Sequence, residues 1–217
     1  QGDFRLQADL KVPAGRKVAI IGPSGAGKST LLAAIAGFLA PQAGRLSWDG
    51  RDLTLLPPGN RPIAMLFQDN NLFPHLDCLT NVALGAEPVA NPKPETRARA
   101  KVALEKVGLT GIEQRKPGAL SGGQQSRVAL ARLLLTNRPV ILMDEPFSAL
   151  GPAQRREMLQ LVRELLPGAP LLMVTHDPED AQEANQTILV AEGTVSPPVE
   201  TKQLFANPPE ALVDYLR

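Results

Sequence analysis

The nine residues "GPSGAGKST" (22–30) stand between an apolar run, "KVAII" (17–21), and a helix-forming one, "TLLAAIAGFL" (30–39). No other feature constrains the fold as much. Glycines let successive backbone N–H groups turn inward, and the helix that follows adds its partial positive charge, so the loop is built to cradle phosphate. The spacing G-x-x-x-x-G-K-[ST] puts Gly22, Gly27, Lys28 and Ser29 in register. Lys28 is expected on the terminal phosphates and the Ser29 hydroxyl on magnesium. A strand, then such a loop, then a helix is the opening of an α/β fold.

The rest of the chain repeats that alternation. "KVAIIG" (17–22), "PVILMD" (139–144), "PLLMVTH" (170–176) and "TILVAEG" (187–193) each read as a buried strand bounded by Gly, Pro or polar residues. Helical patterns lie between them: Met158, Leu161, Val162 and Leu165 share one face of a helix opened by Pro152. Strands alternating with helices predict a mainly parallel central sheet. Two regions depart from this. "GRLSWDGRDL" (44–53) alternates around an Asp-Gly turn and reads as an antiparallel β arm. Residues 71–138 contain no convincing strand, whereas Ala100, Ala103, Leu104 and Val107 make a helical stripe and 124–135 is a continuous helix former. The reading is one domain: a nucleotide-binding α/β core from 1–70 and 139–217, with a helical subdomain at 71–138 inserted into it.

Three further stretches carry chemistry. "VILMDE" (140–145) is an apolar strand ending in two acids; Asp144 suits support of a magnesium ion, and Glu145 suits a general base for an attacking water. His176 closes "PLLMVTH" and, taken alone, reads as a solvated or capping residue. "ALSGGQQS" (119–126) places Ser121, Gly122 and Gly123 at the head of a helix, which is a second anion-binding turn.

Composition narrows the function classes. Hydrophobic residues make up 43% and charged residues 21%, enough apolar content for a real core. A net charge of +1 gives no support to nucleic-acid binding. Cys78 is the single cysteine, so there is no internal disulfide and no cysteine-based zinc site. The longest apolar run, "LLAAIAGFLA" (31–40), falls well short of the roughly 20 residues that span a bilayer. The N-terminus lacks the basic and apolar segments of a signal peptide. Work at a membrane would therefore go through a partner.

The cradle, "LSGGQ" (120–124) and "MDE" (143–145) together resemble the ABC ATPase family over essentially the whole chain. Gln68 in "MLFQDN" matches that family's Q-loop and His176 in "VTHD" its switch histidine. The resemblance implies two copies packed head to tail around two ATP molecules. The segment from Gly22 through Pro23, Ser24, Gly25, Ala26, Gly27, Lys28 and Ser29 to Thr30 would bind the phosphates; Ser121, Gly122, Gly123 and Gln124 of the other copy would cap them. Glu145, His176 and Gln68 become the catalytic set, and Ser29, Gln68 and Asp144 the Mg2+ ligands. "PPGNRPIAMLFQDNNLFPHL" (57–76) is similar to the ATPases of bacterial thiamine uptake. That similarity implies a peripheral subunit on the cytoplasmic face of the inner membrane. It would dock on permease subunits near Gln68 through Leu72, Phe73 and Leu76, and be served indirectly by a periplasmic solute-binding protein. An ATPase for another solute (iron, sulfate or polyamine type) and a regulatory nucleotide-binding module with low turnover are the alternatives. Ending at Arg217, the chain is expected to lack the C-terminal regulatory domain of several importer ATPases.

The chain departs from the family at three points. The aromatic that stacks on adenine would fall at or before Gln1, and Phe4, the nearest aromatic, is given no such role. Gln125 and Ser126 stand where Arg-Gln usually precedes Arg127. The loop that usually ends "SALD" reads "SALG", with Gly151 in the Asp position.

Overall fold

The computed structural model describes residues 4–216, so the position expected for the adenine-stacking aromatic, at or before Gln1, lies outside the described residues. In chain order the elements are β1 (Gln7–Ala8), β2 (Lys17–Ile21), α1 (Lys28–Ala36), β3 (Ser47–Trp48), β4 (Arg51–Asp52), β5 (Ile63–Leu66), α2 (Cys78–Ala83), α3 (Pro94–Lys106) and α4 (Gly122–Leu135). There follow β6 (Val140–Asp144), α5 (Pro152–Leu165), β7 (Leu171–Val174), α6 (Pro178–Gln182), β8 (Gln186–Ala191), β9 (Thr194–Val195), β10 (Val199–Glu200), α7 (Thr201–Ala206) and α8 (Glu210–Leu216). Contacts divide the chain into two compact units. One comprises the chain through Ile63, Pro139–Asp144 and the chain from Gly168; the other comprises Ala64–Arg138 and Glu145–Pro167.

The first unit is a sheet in the order β1-β9-β8-β2-β7-β6, with β10 on the edge of β8. β8, β2, β7 and β6 run parallel, and their registers align Ile20 with Val174 and Val174 with Asp144. These strands read as unbroken apolar runs because both faces are covered: Val18, Ala19, Ile20, Ile21 and Val174 are fully buried. β9 and β10 pair antiparallel to β8. The expected arm is the β3–β4 hairpin, turned by left-handed Asp49 and Gly50.

α1 is shorter than "TLLAAIAGFL" suggests. Gly37 adopts φ 91° and returns its N–H to Ala33 and Ala34, which ends the helix at Ala36 and leaves Phe38 and Leu39 exposed beyond it. The freed carbonyls of the last turn go to Arg61, 1% exposed, whose Nη1 donates to Ala34 and Ile35 at 2.7 Å each. Its Nε donates to Leu56 and its Nη2 to Thr54, so one cation gathers four carbonyls from two segments.

The second unit packs α2, α3 and α4 on one another, with α5 against α4. Asp77 caps α2, accepting from Thr80 N at 2.7 Å. Asn81 is fully buried; it accepts from Phe73 N and donates to the carbonyls of Phe73, Leu76 and Asp77, so α2 holds the 73–77 loop by its backbone. α4 begins at Gly122 with Ser121 as its N-cap, as the sequence reading placed Ser121, Gly122 and Gly123 at the head of a helix, and Ser121 and Gln124 form a reciprocal capping box. Among the described residues no helix is long and apolar enough to cross a membrane.

Candidate functional site

β2 delivers the chain to the cradle at Gly22, where φ is 146° and a Cβ would lie 2.0 Å from the Val190 carbonyl oxygen. Only glycine fits that approach. Ala26 N–H closes the turn on Pro23 O, and Gly27, at φ 104°, is the N-cap of α1 with the Phe4 ring lying across it. Lys28 is 8% exposed, and its Nζ donates to the carbonyls of Gly22 (2.7 Å) and Pro23 (2.9 Å). The loop thus holds its own cation, with the amides of the α1 N-terminus beside it.

The next two strands bring further polar groups to the same carboxyl-end edge, where open α/β sheets bind ligands. Asp144, last residue of β6, accepts from Ser29 Oγ at 3.0 Å. A hydroxyl and a carboxylate in contact are hard oxygen donors of the type Mg2+ takes. Among the described residues no group of three or more His, Cys, Asp or Glu could hold a metal. A cation at Ser29 and Asp144 would therefore complete its shell with phosphate oxygens and water, as magnesium does. Beyond β7, Thr175 N–H donates to Ile20 O, Asp177 N–H to Thr175 Oγ1, and the phenol of Tyr215 to the His176 carbonyl. The His176 side chain is exposed.

In the second unit Glu145 follows β6 directly and is half-buried, with φ 44°. A left-handed glutamate costs about 1–2 kcal/mol, a strain of the kind concentrated at functional positions. Gln68 is exposed, two residues past β5. Asn70 (φ 59°) and Asn71 (φ 46°) then turn the chain left-handed, and Arg132 of α4 donates to both of their carbonyls at 2.8 and 2.7 Å. Burial pulls Arg132 below the ordinary arginine value, with the Asp69 carboxylate opposing. Arg132 is a functional candidate that sequence reading missed; the only local signal was the Asn-Asn pair, a residue type that tolerates the left-handed region.

Ser121 is the N-cap of α4, its Oγ accepting from Gln124 N (3.3 Å), while Gln124 Oε1 accepts from Ser121 N (3.0 Å). The Gln124 carboxamide oxygen is therefore engaged by its own helix, whereas Ser121, as an acceptor here, keeps its hydroxyl proton for donation. Gly122 and Gly123 have no need of glycine within this chain. Neither has a positive φ, and a Cβ on them would meet only Leu150 at 3.8 Å and Gln154 at 3.9 Å, ordinary contacts. Gln125 Nε2 donates to Pro117 O and Leu120 O, buttressing the turn before Ser121. Arg127 reaches Val107 O and Glu157. Gly151 caps α5 in an extended conformation (φ −66°, ψ 160°) with open space at its Cβ.

A cavity of about 350 Å³ lies in the second unit, lined by Met65, Phe73, Leu84, Pro88, Arg132 and Leu133 among others. Phe73, 44% exposed, is the one residue of the expected Leu72, Phe73 and Leu76 set that lines it.

A phosphate cradle at the carboxyl edge of a parallel sheet, with a capped Ser-Gly-Gly helix start in the same chain, defines a nucleotide-binding cassette. The chain belongs to the ABC transporter family, which it matches over residues 6–148. It is 58% identical to the thiamine import ATP-binding protein ThiQ of Cereibacter sphaeroides over all of this chain and 95% of that protein. It is 54% identical to the protein of the same name from a Ruegeria species, over 100% of this chain and 95% of that protein. Among solved structures it resembles a post-hydrolysis dimeric state of the ATP-binding cassette MJ0796 bound to ADP and Pi. The TM-score is 0.80 at 32% identity, covering 93% of this chain and 94% of that one. It also resembles cbiO1 from Clostridium perfringens, part of the ABC transporter complex cbiONQ, with a TM-score of 0.82 at 27% identity, over 98% and 87%.

Proposed function

We propose that this chain is the ATP-hydrolysing subunit of a membrane importer whose cargo is thiamine. The observation that carries the catalytic part is the gathering of Lys28, Ser29, Asp144 and His176 at the carboxyl ends of β2, β6 and β7. The cargo rests on the 58% and 54% identity to thiamine import ATPases.

The cradle from Gly22 to Thr30 holds the phosphates, and Lys28 exchanges its two loop carbonyls for terminal phosphate oxygens, a charge-assisted contact. Ser29, Asp144 and Gln68 hold Mg2+, which when bound neutralises charge on the terminal phosphates. Glu145 takes the proton of the attacking water, and His176 steadies the γ-phosphate. The second copy supplies Ser121, Gly122 and Gly123. Two glycines in a first helical turn have a cost in backbone freedom relative to alanine, and neither the φ angles nor the space around them requires glycine. Their cost is explained if a phosphate of the opposite subunit approaches their backbone, with Ser121 donating its hydroxyl proton. The dimeric cassette bound to ADP and Pi, at 32% identity, supports assembly as two copies.

Residues 71–138 act as the helical subdomain that carries this cap and docks the permease. The cavity beside Phe73 receives a short apolar helix of the permease, and the subunit sits on the cytoplasmic face of the inner membrane. A periplasmic solute-binding protein delivers the cargo on the other side. Proteoliposomes carrying this chain with its permease and binding protein test the proposal. ATP-driven uptake of labelled thiamine, lost in Lys28→Ala together with nucleotide affinity, is the expected result. ATP hydrolysis stimulated by another solute, with no thiamine uptake, overturns the cargo.

A further inference from the structure

We infer that Tyr215 is a positioning residue for ATP hydrolysis, acting through the backbone of His176. The inference rests on the reading of His176 as a γ-phosphate contact. The Tyr215 phenol donates to the His176 carbonyl at 2.7 Å across 39 residues of sequence. His176 sits between the end of β7 at Val174 and the start of α6 at Pro178, outside both elements. Its neighbours are tied down by Thr175 N–H on Ile20 O and Asp177 N–H on Thr175 Oγ1. The phenol adds a further tie, on the peptide that follows the His176 Cα, and so helps fix the point from which the exposed imidazole swings.

The tyrosine is itself anchored to a core cluster that includes residues of the cradle strand. Its ring packs, with Val199 and Phe205, on a buried cluster of Ala19, Ile21, Ala181, Leu189, Leu204 and Leu212. Ala19 and Ile21 belong to β2, and Ile21 immediately precedes Gly22. One side chain therefore packs on the cluster that holds the strand ending in the phosphate loop and hydrogen-bonds a residue just past the neighbouring strand. A capping role alone would not account for this, since the carbonyl it holds lies outside α8.

Tyr215→Phe keeps the ring and removes only the donor. With the full chain in complex with its permease, we expect kcat to fall three- to tenfold while the KM for ATP, nucleotide affinity and the melting temperature stay unchanged. Hydrogen exchange at 175–177 should quicken. Because the phenol works through His176, adding Tyr215→Phe to His176→Ala should cost nothing further. Wild-type kcat in Tyr215→Phe with a slow His176→Ala overturns this inference alone. An equal kcat loss in both backgrounds, or a loss that tracks a fall in melting temperature, makes the phenol merely structural and overturns it too. Full activity in His176→Ala removes the role of His176 and this inference with it.

Discussion

Ser29 Oγ donates to Asp144 Oδ1 at 3.0 Å, joining the first turn of α1 to the end of β6 across 115 residues. The pair makes a bidentate platform from one neutral and one charged oxygen, so its electrostatic part can be removed without its shape. Asp144→Asn keeps an acceptor for Ser29 but lacks the anion. The expected outcome is a tenfold or greater loss of magnesium affinity in the nucleotide complex, read by Mg2+ titration of ATPase activity, with folding intact. An unchanged titration would remove Asp144 from the metal shell.

Glu145 should govern the chemical step and not binding. Glu145→Gln is expected to lower turnover by on the order of 10²–10⁴, while ATP is still bound and the chain sediments as a dimer in ATP and magnesium. A monomer under those conditions contradicts the two-copy arrangement.

Phe73 presents its ring at the cavity while its backbone N–H and carbonyl are held by Asn81. Phe73→Ala removes the ring from a loop that stays in place. Truncating a central aromatic at an interface typically costs more than 1 kcal/mol, so permease co-purification should weaken about tenfold with ATP affinity unaltered. Undiminished recovery of the complex would put the docking surface elsewhere.

Gly151 needs no glycine: its φ of −66° suits any residue, and its Cβ would meet open space. An Asp there caps α5, replacing a glycine N-cap for a gain of a few tenths of a kcal/mol and adding favourable charge at a helix start worth about 0.3–1 kcal/mol. Gly151→Asp should therefore raise the melting temperature slightly. It should also raise turnover and steepen the ATP dependence, because in the two-copy arrangement the added carboxylate would stand close to the opposite subunit's cradle. A stabilised protein with unchanged kinetics would confine the effect to the cap.

Cys78 is fully buried, and burial, helped by the Asp77 carboxylate, pushes its thiol up from 9.0 to about 11. The raised value belongs to the folded state. Above pH 9 the unfolded chain loses this proton while the folded one keeps it, so the stability contribution present below pH 9 is lost as pH rises towards 11. Urea melts across that window should show a decline that Cys78→Ala flattens. A thiol reagent at pH 8 should react only at the rate of unfolding.

How much of this could be read from the sequence follows from what each element is made of. β2, β6 and β7 were legible because strands covered on both faces are continuous apolar runs, and the cradle because its glycines and lysine sit at fixed offsets. The start of α4 is legible too, because a serine followed three residues later by Gln124 marks a capped helix start even though Gly122 and Gly123 are poor helix formers. "TLLAAIAGFL" ran too long because Phe38 and Leu39 continue the apolar pattern past a left-handed Gly37. Arg61, Asn81, Arg132 and Tyr215 were not legible at all. Each bonds backbone carbonyls, and a carbonyl is present at every residue, so no partner type or period in the sequence points to the bond.

α4 deserves reading as a mechanical part. Fourteen residues of α-helix span about 21 Å, with Ser121 at one end and, in the last turn, Arg132 gripping the carbonyls of Asn70 and Asn71 at the rim of the cavity. A rod so short is stiff against thermal bending. A tilt of about 10° about Arg132 would carry Ser121, about 16 Å away along the axis, sideways by roughly 3 Å, about the length of a hydrogen bond. If docking at the cavity tilts this helix, its length alone sets how far Ser121 moves.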